Sequence, residues 1–261
     1  IRITSDQLTS NKNTKIHIPL EGTETIVEKD YIQFVDPRKN NTEKNNDSKL
    51  DLSGIVMDIN LDVTPDAYME IIFDEKAGDI MRGYGSGQLQ LQIDTRGDFN
   101  MLGQYQIDKG TYNFTLVNLI NKKFEIDKNS SITWSGDPYK GILDINARYK
   151  QYASIIPIVD TSIYDLSSRT EFYRNYPVEI SLLLENELLK PEVSFNVEIQ
   201  EYPASIEDVV ESFHSRLSSD EQEKNKQVFT LVVLKQLSSP GSFGDLESGS
   251  FSSLSELFSN Q

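Results

Sequence analysis

The chain has 261 residues, 25 Lys and Arg against 41 Asp and Glu, a net charge of −16, no cysteine and two histidines. Disulfide scaffolds, cysteine-based zinc sites and thiol catalysis are thereby excluded, and an acidic chain without a basic patch argues against nucleic acid as a partner. No apolar run approaches the roughly 18–20 residues of a membrane-spanning helix, and the opening at Ile1, without a secretory signal, is read as that of an excised or processed piece.

In chain order, Thr14–Leu20 and Thr25–Asp36 alternate apolar and polar positions and read as short strands. Pro37–Lys49 contains no hydrophobic residue, so a mobile, disordered loop is expected near residues 38–50. From Leu52 to about Ile199 the period is two. Met57, Ile59, Leu61 and Val63 alternate with polar neighbours, as do Leu89, Leu91 and Ile93, then Phe99, Met101, Tyr105 and Ile107, then Tyr112, Phe114 and Leu116. Leu143, Ile145, Ala147 and Tyr149 follow, then Val178, Ile180, Leu182 and Leu184, and finally Val193, Phe195, Val197 and Ile199. Thr64-Pro65-Asp66, Arg96-Gly97-Asp98, Asp108-Lys109-Gly110, Gly136-Asp137-Pro138 and Lys190-Pro191 read as the turns between strands, which predicts a mainly antiparallel sheet. Ser205-Ile206-Glu207-Asp208 reads as a capping box opening a helix through about Leu217. A second helix is expected from about Asp220 to Leu237, then a Gly/Ser-rich linker over 242–250 and a helical pattern from Ser252 to Gln261.

Catalytic and metal-binding readings come out poorly. Asp58 with Asp62, and Asp74 with Glu75, have the residue type for acid–base chemistry, but Asp58 and Asp62 fall on the wet side of a strand. The Asp/Asn alternation of 58–62 lacks the glycine turn and closing glutamate of a calcium loop. Arg82–Gly87, "RGYGSG", resembles a phosphate cradle, yet a strand follows it, so a bulge or bend is the better reading. His17 and His214 are most simply structural. No catalytic residue, cofactor or metal is expected.

About ten strands oily on one side expose more apolar surface than a soluble sheet tolerates, so a sandwich, a closed barrel or a trough filled by apolar guests must cover it. At ~0.8 kcal/mol per CH₂, one sixteen-carbon chain gains on the order of 12 kcal/mol by such shielding.

Specific residues then carry a resemblance. Gly103–Leu116 (GQYQIDKGTYNFTL) resembles the "G-x-Y … G-x-Y-x-F" strands of the TamB family's C-terminal domain. Phe124-Glu125-Ile126 through Ser131–Pro138 (SITWSGDP) is similar to its "F-x-I … G-x-I-x-W-x-G-D-P" hairpin, and Leu143–Tyr149 (LDINARY) to its "L-D-I-x-A-x-Y" strand. Pro177–Ile180 and Leu189–Val197 resemble its "P-V-x-V … L-x-x-P-x-I-x-F-x-I" pair. The ordered series spans roughly residues 85–200. Asn129 and Asn186-Glu187 stand where the family has glycine.

The resemblance implies a periplasmic segment of an inner-membrane-anchored, Gram-negative protein that reaches the outer membrane. It also implies a sheet bent into a hydrophobic trough (a β-taco), and an Omp85-class outer-membrane barrel, TamA- or BamA-like, as partner. The expected architecture is an elongated, curved, largely antiparallel groove over residues 1–203, followed by a helical and Gly/Ser-rich segment over 204–261. The expected role is non-enzymatic: shielding phospholipid acyl chains on the way to the outer membrane, or assisting the insertion and assembly of outer-membrane proteins. The expected lining is Met57, Ile59, Leu61, Leu89, Leu91, Ile93, Tyr112, Phe114, Leu116, Ile132, Trp134, Leu143, Ile145, Ile180, Leu182, Phe195 and Val197. An ordinary sandwich core is the competing reading of those residues. The alternative functions are an outer-membrane β-barrel and a secreted carbohydrate-binding sandwich.

Overall fold

The computed structural model describes residues 2–20, 54–94, 96–116 and 120–240. The predicted strand at 25–36, the loop near 38–50, the linker at 242–250 and the helical pattern at 252–261 lie outside the described residues.

The period-two segments become strands because alternation puts every second side chain on one face, where it is buried together with those of its neighbours. They are β1 (Arg2–Thr9), β2 (Lys15–Pro19), β3 (Val56–Val63), β4 (Tyr68–Asp74), β5 (Asp79–Asp94) and β6 (Asp98–Leu116), then β7 (Ile120–Ile126), β8 (Ser131–Gly136), β9 (Ile142–Ser154), β10 (Asn175–Glu187) and β11 (Glu192–Ile199). In β9 the alternation is strict: Leu143, Ile145 and Ala147 are buried, while Ile142, Asp144, Asn146 and Arg148 are exposed. All eleven strands form one mixed sheet, most of whose pairs are antiparallel. The exceptions are β1 with β3 and β2 with β4, which run parallel. Parallel pairing needs a long crossover, and the chain between Pro19 and Val56 supplies the length.

The strands stack in rows: β1 and β2 end to end, then β3 and β4, then β5, β6, β7 with β8, β9, β10 and β11. Irregularities line up across the first five rows. The turn at Asn11–Thr14 lies beside that at Thr64–Ala67, and the registers of β5 and β6 shift between Tyr84 and Gly85. The Asp127–Ser130 break between β7 and β8 continues the line. "RGYGSG" is therefore the bend expected of it. Asp108-Lys109-Gly110, by contrast, is not a turn: β6 runs on through it as a 19-residue strand. Tyr84 pairs with Lys109 and Gly85 with Ile107, so Asp108 is the extra residue of a bulge. A bulge and a turn share the same residue types, because both leave a residue out of the ladder. The insertion also explains why the buried positions of β6 switch from Tyr105 and Ile107 to Tyr112 and Phe114.

The sheet is open. Among the described residues β1 pairs only with β3 and β11 only with β10, so these strands do not close into a barrel. It is nevertheless strongly curled. β6 and β11 lie four rows apart, about 19 Å if the sheet were flat. The rings of Phe114 and Phe195 meet at 5.5 Å. Asn129 and Asn186, at the family's glycine positions, have φ of 80° and 69°. Asn is the side chain that best tolerates this left-handed region, which is why both turns survive without glycine.

Two helices follow, α1 (Glu207–Ser219) and α2 (Glu221–Leu234). The expected capping box does not form. A 3-10 turn over Ala204–Ile206 displaces Ser205, and the N-cap is Ile206, which has no side-chain acceptor. At α2 the Asp220 side chain does accept from the Glu223 N–H, at 3.0 Å. This helix stops three residues short of the expected Leu237. The Gln227 side chain donates to the Ser238 carbonyl (2.8 Å) and accepts from its N–H (3.0 Å), pulling Leu237 into the core. The buried residues of both helices, Phe213, Leu217, Val228 and Leu231 among them, belong to the same contiguous cluster as those of the sheet.

Candidate functional site: the apolar face of the sheet

Directly paired residues share a face, so register alone assembles the site. Ile3 pairs with Met57, Met57 with Ile93, and Ile93 with Phe99, which makes one apolar stripe across four rows. The next stripe inward is Ile59, Leu91 and Met101, and the next Leu61, Leu89, Gly103 and Trp134. On β6 exposure falls along this path, whereas on the edge strand β1 Leu8, paired with Leu61, stays as exposed as Ile3. Phe99 is 42% exposed, Met101 5% and Tyr105 1%.

The expected lining residues thus fall into two groups. Met57, Ile59, Leu61, Leu91 and Ile93 are half-buried at the end of the sheet that carries the β5–β6 hairpin. Leu89, Tyr112, Phe114, Ile132, Trp134, Leu143, Ile145, Ile180, Leu182, Phe195 and Val197 are buried among the protein's own side chains. The side chain of Leu116 lies outside the described residues. Phe114 is ringed by Tyr112, Phe124 and Phe195 at centroid distances of 5.5–6.1 Å. Trp134 Nε1 donates to the Pro138 carbonyl at 2.9 Å, so its one polar atom is satisfied. A gap of about 10 Å³, the size of one water, remains between Met69, Ile71, Met81, Tyr105, Ile107 and Ile132. Ile3, Leu8 and Phe99 were not among the expected lining, yet they are its most exposed members at 47, 47 and 42%. Phe99 had a legible signal, its place in an alternating run. Ile3 and Leu8 did not, because their face follows from parallel pairing with β3.

One carboxyl group, Asp79, borders this face. Asp79 is half-buried beside Tyr112, and its Oδ1 is shielded from solvent without a hydrogen-bond partner. Burial pushes its carboxyl up from 3.8 to about 6; the Tyr112 hydroxyl, donating to it, opposes the rise, and nearby Asp74 adds to it. A carboxyl raised in the folded state contributes stability that is complete below about 4 and is lost as pH rises through about 6. Asp79→Asn is expected to remove this slope. Unfolding free energies of variant and wild type, measured from pH 4 to 8, should differ in their change by on the order of 2 kcal/mol.

The remaining candidates sit on the polar side, in turns or, for His214, on α1. Asp58 accepts from Gln90 Nε2 at 3.1 Å and Asp62 from Gln7, as expected of a solvated face. Asp74 Oδ1 accepts the Ala77 N–H of its own turn. His17 stands 3.4 Å from Glu70. His214 Nε2 accepts the Ile199 N–H at the end of β11, and burial holds its pKa below the usual range. On the outer side a shallow depression of about 490 Å³ opens where the sheet bends, lined by Tyr68, Arg82, Tyr84, Asp108, Lys109 and Glu125. Lys109 Nζ lies 4.8 Å over the Tyr84 ring there. Among the described residues no cluster of three or more His, Asp or Glu could hold a metal ion, and no helix is long and apolar enough to cross a membrane.

Compared with known families, the chain matches the family model described as TamB C-terminal domain over residues 5–261. No curated protein matches it.

Proposed function

Because the chain belongs to the TamB C-terminal domain family, which supports a TamB-like role in the outer membrane, we propose that its apolar face shields the acyl chains of phospholipid travelling to that membrane. The carrying observation is the open stripe Ile3–Met57–Ile93–Phe99, which on β3, β5 and β6 runs without a polar interruption into the buried core, Ser5 of the edge strand β1 being the one polar residue beside it. Hydrocarbon laid on it leaves water at ~0.8 kcal/mol per CH₂, a gain that needs no directional chemistry. In this reading the domain works in the periplasm with an Omp85-class outer-membrane barrel, without catalysis. A second reading, assistance to outer-membrane protein strands, has one observation in its favour. The outer edge of β1 is unpaired among the described residues and offers backbone groups to an extended segment.

The test is a double substitution, Ile93→Asp with Phe99→Asp. Both positions are partly open, so the variant should keep the wild-type circular dichroism and unfold within about 1 kcal/mol of it. Organic extraction of the purified protein followed by mass spectrometry should then find phospholipid with the wild type and little with the variant. Equal phospholipid in both would count against the proposal.

A further inference from the structure

The apolar face is open at one end and shut at the other. At the hairpin end, exposure declines over the short path from Phe99 to Tyr105. Toward the opposite end, Phe114 and Phe195 touch across the curled sheet and bring its two arms together. Beyond them stand the helices. Gln151 shares the inner face of β9 with Ile145 and donates to the Leu231 carbonyl of α2 at 2.6 Å. The His214 imidazole of α1 ties down the last N–H of β11. Phe213, Leu217, Val228 and Leu231 complete the closure.

Resting on the lipid-shielding reading, we infer that this domain is a blind end. A hydrocarbon tail enters beside the β5–β6 hairpin, lies along the half-buried residues from Met57 to Leu61 with Leu91 and Ile93 beside them, and stops where Leu89 and Met101 are buried. At about 3.4 Å per residue the tail reaches on the order of 14 Å inward. Three row spacings give the mouth a comparable width, so its area is roughly 200–300 Å². That is well under the ~800 Å² per partner of a stable protein interface, which makes a lipid tail the occupant that fits. Whatever enters leaves by the same opening, so onward transfer requires a receiver at the hairpin end and not at the helices.

The experiment uses vesicles of phosphatidylethanolamine containing a diazirine near the acyl terminus, irradiated with the wild-type chain, with adducts mapped by peptide mass spectrometry. Adducts are expected on the segments 57–61 and 91–93 and at Phe99, and absent from 112–114, 180–184 and 195–197. Comparable labelling of the deep segments would overturn the blind end while leaving lipid shielding standing. Labelling of neither set would remove lipid shielding and the inference with it. The Ile93→Asp, Phe99→Asp variant should lose the mouth adducts.

Discussion

Phe114→Ala is expected to cost about 3–5 kcal/mol of folding stability, the range for deleting a large, fully packed aromatic side chain. The ring is 2% exposed and contacts rings from three other positions, one of them on the far arm of the sheet. Removing it leaves a cavity that strands cannot easily close, because each is held in register along its length. Phe195→Ala should lose a similar amount. The double variant should lose less than the sum, since the edge-to-face contact itself is worth about 0.5–1.5 kcal/mol beyond burial. Denaturant unfolding of the four proteins in that cycle is the measurement. Leu91→Asp provides the contrast: Leu91 is half-buried on the same apolar face, so its charge should be far better tolerated than one at Phe114. Near-equal losses would mean the hairpin end is as tightly packed as the interior, and the open mouth would go with that result.

The second large effect is expected at Gly85→Ala, with a loss of about 2–5 kcal/mol from forced shifts in a well-packed sheet. A Cβ on Gly85 would stand 2.0 Å from the Gln106 carbonyl oxygen and 2.9 Å from the Tyr105 ring. Neither neighbour can yield. The first is backbone of the adjacent strand, and the second is a buried ring in the core. Gly97→Ala serves as the control. That residue sits in the β5–β6 hairpin with open space around its Cβ position, so only the strain of its φ of 126° is added. A thermal-unfolding comparison should therefore rank Gly85→Ala well below Gly97→Ala. The reverse order would show that the bend does not depend on close approach of β5 to β6.

Much of the fold was legible because strands oily on one side have a single physical solution per residue. Leu143, Ile145 and Ala147 had to share a face, and they do. The alternation also puts Tyr112 and Phe114 on one apolar face, but it does not show that neighbouring side chains rather than guests cover them, nor that Asp108 is a bulge instead of a turn. The capping-box misreading has a similar origin. Ser205 has the right residue type and spacing, but the 3-10 turn before α1 moves it off the cap. Local chemistry specifies that the chain leaves regular structure at a point; it does not specify how.

The alternation, the turn-rich composition and the ordered motifs between residues 85 and 200 together determined a large, mostly antiparallel sheet with one apolar face, two C-terminal helices and membership of the TamB C-terminal domain family. Tertiary structure alone decided which apolar residues are filled in by neighbours and which stay open. Phe99 and Phe114 sit on the same strand with similar local pattern. Only the curl that brings β11 over Phe114, and leaves Phe99 uncovered, distinguishes them. Burial depends on what lies opposite, and residues distant along the chain are placed there by the bend of the sheet rather than by any property of the strand itself.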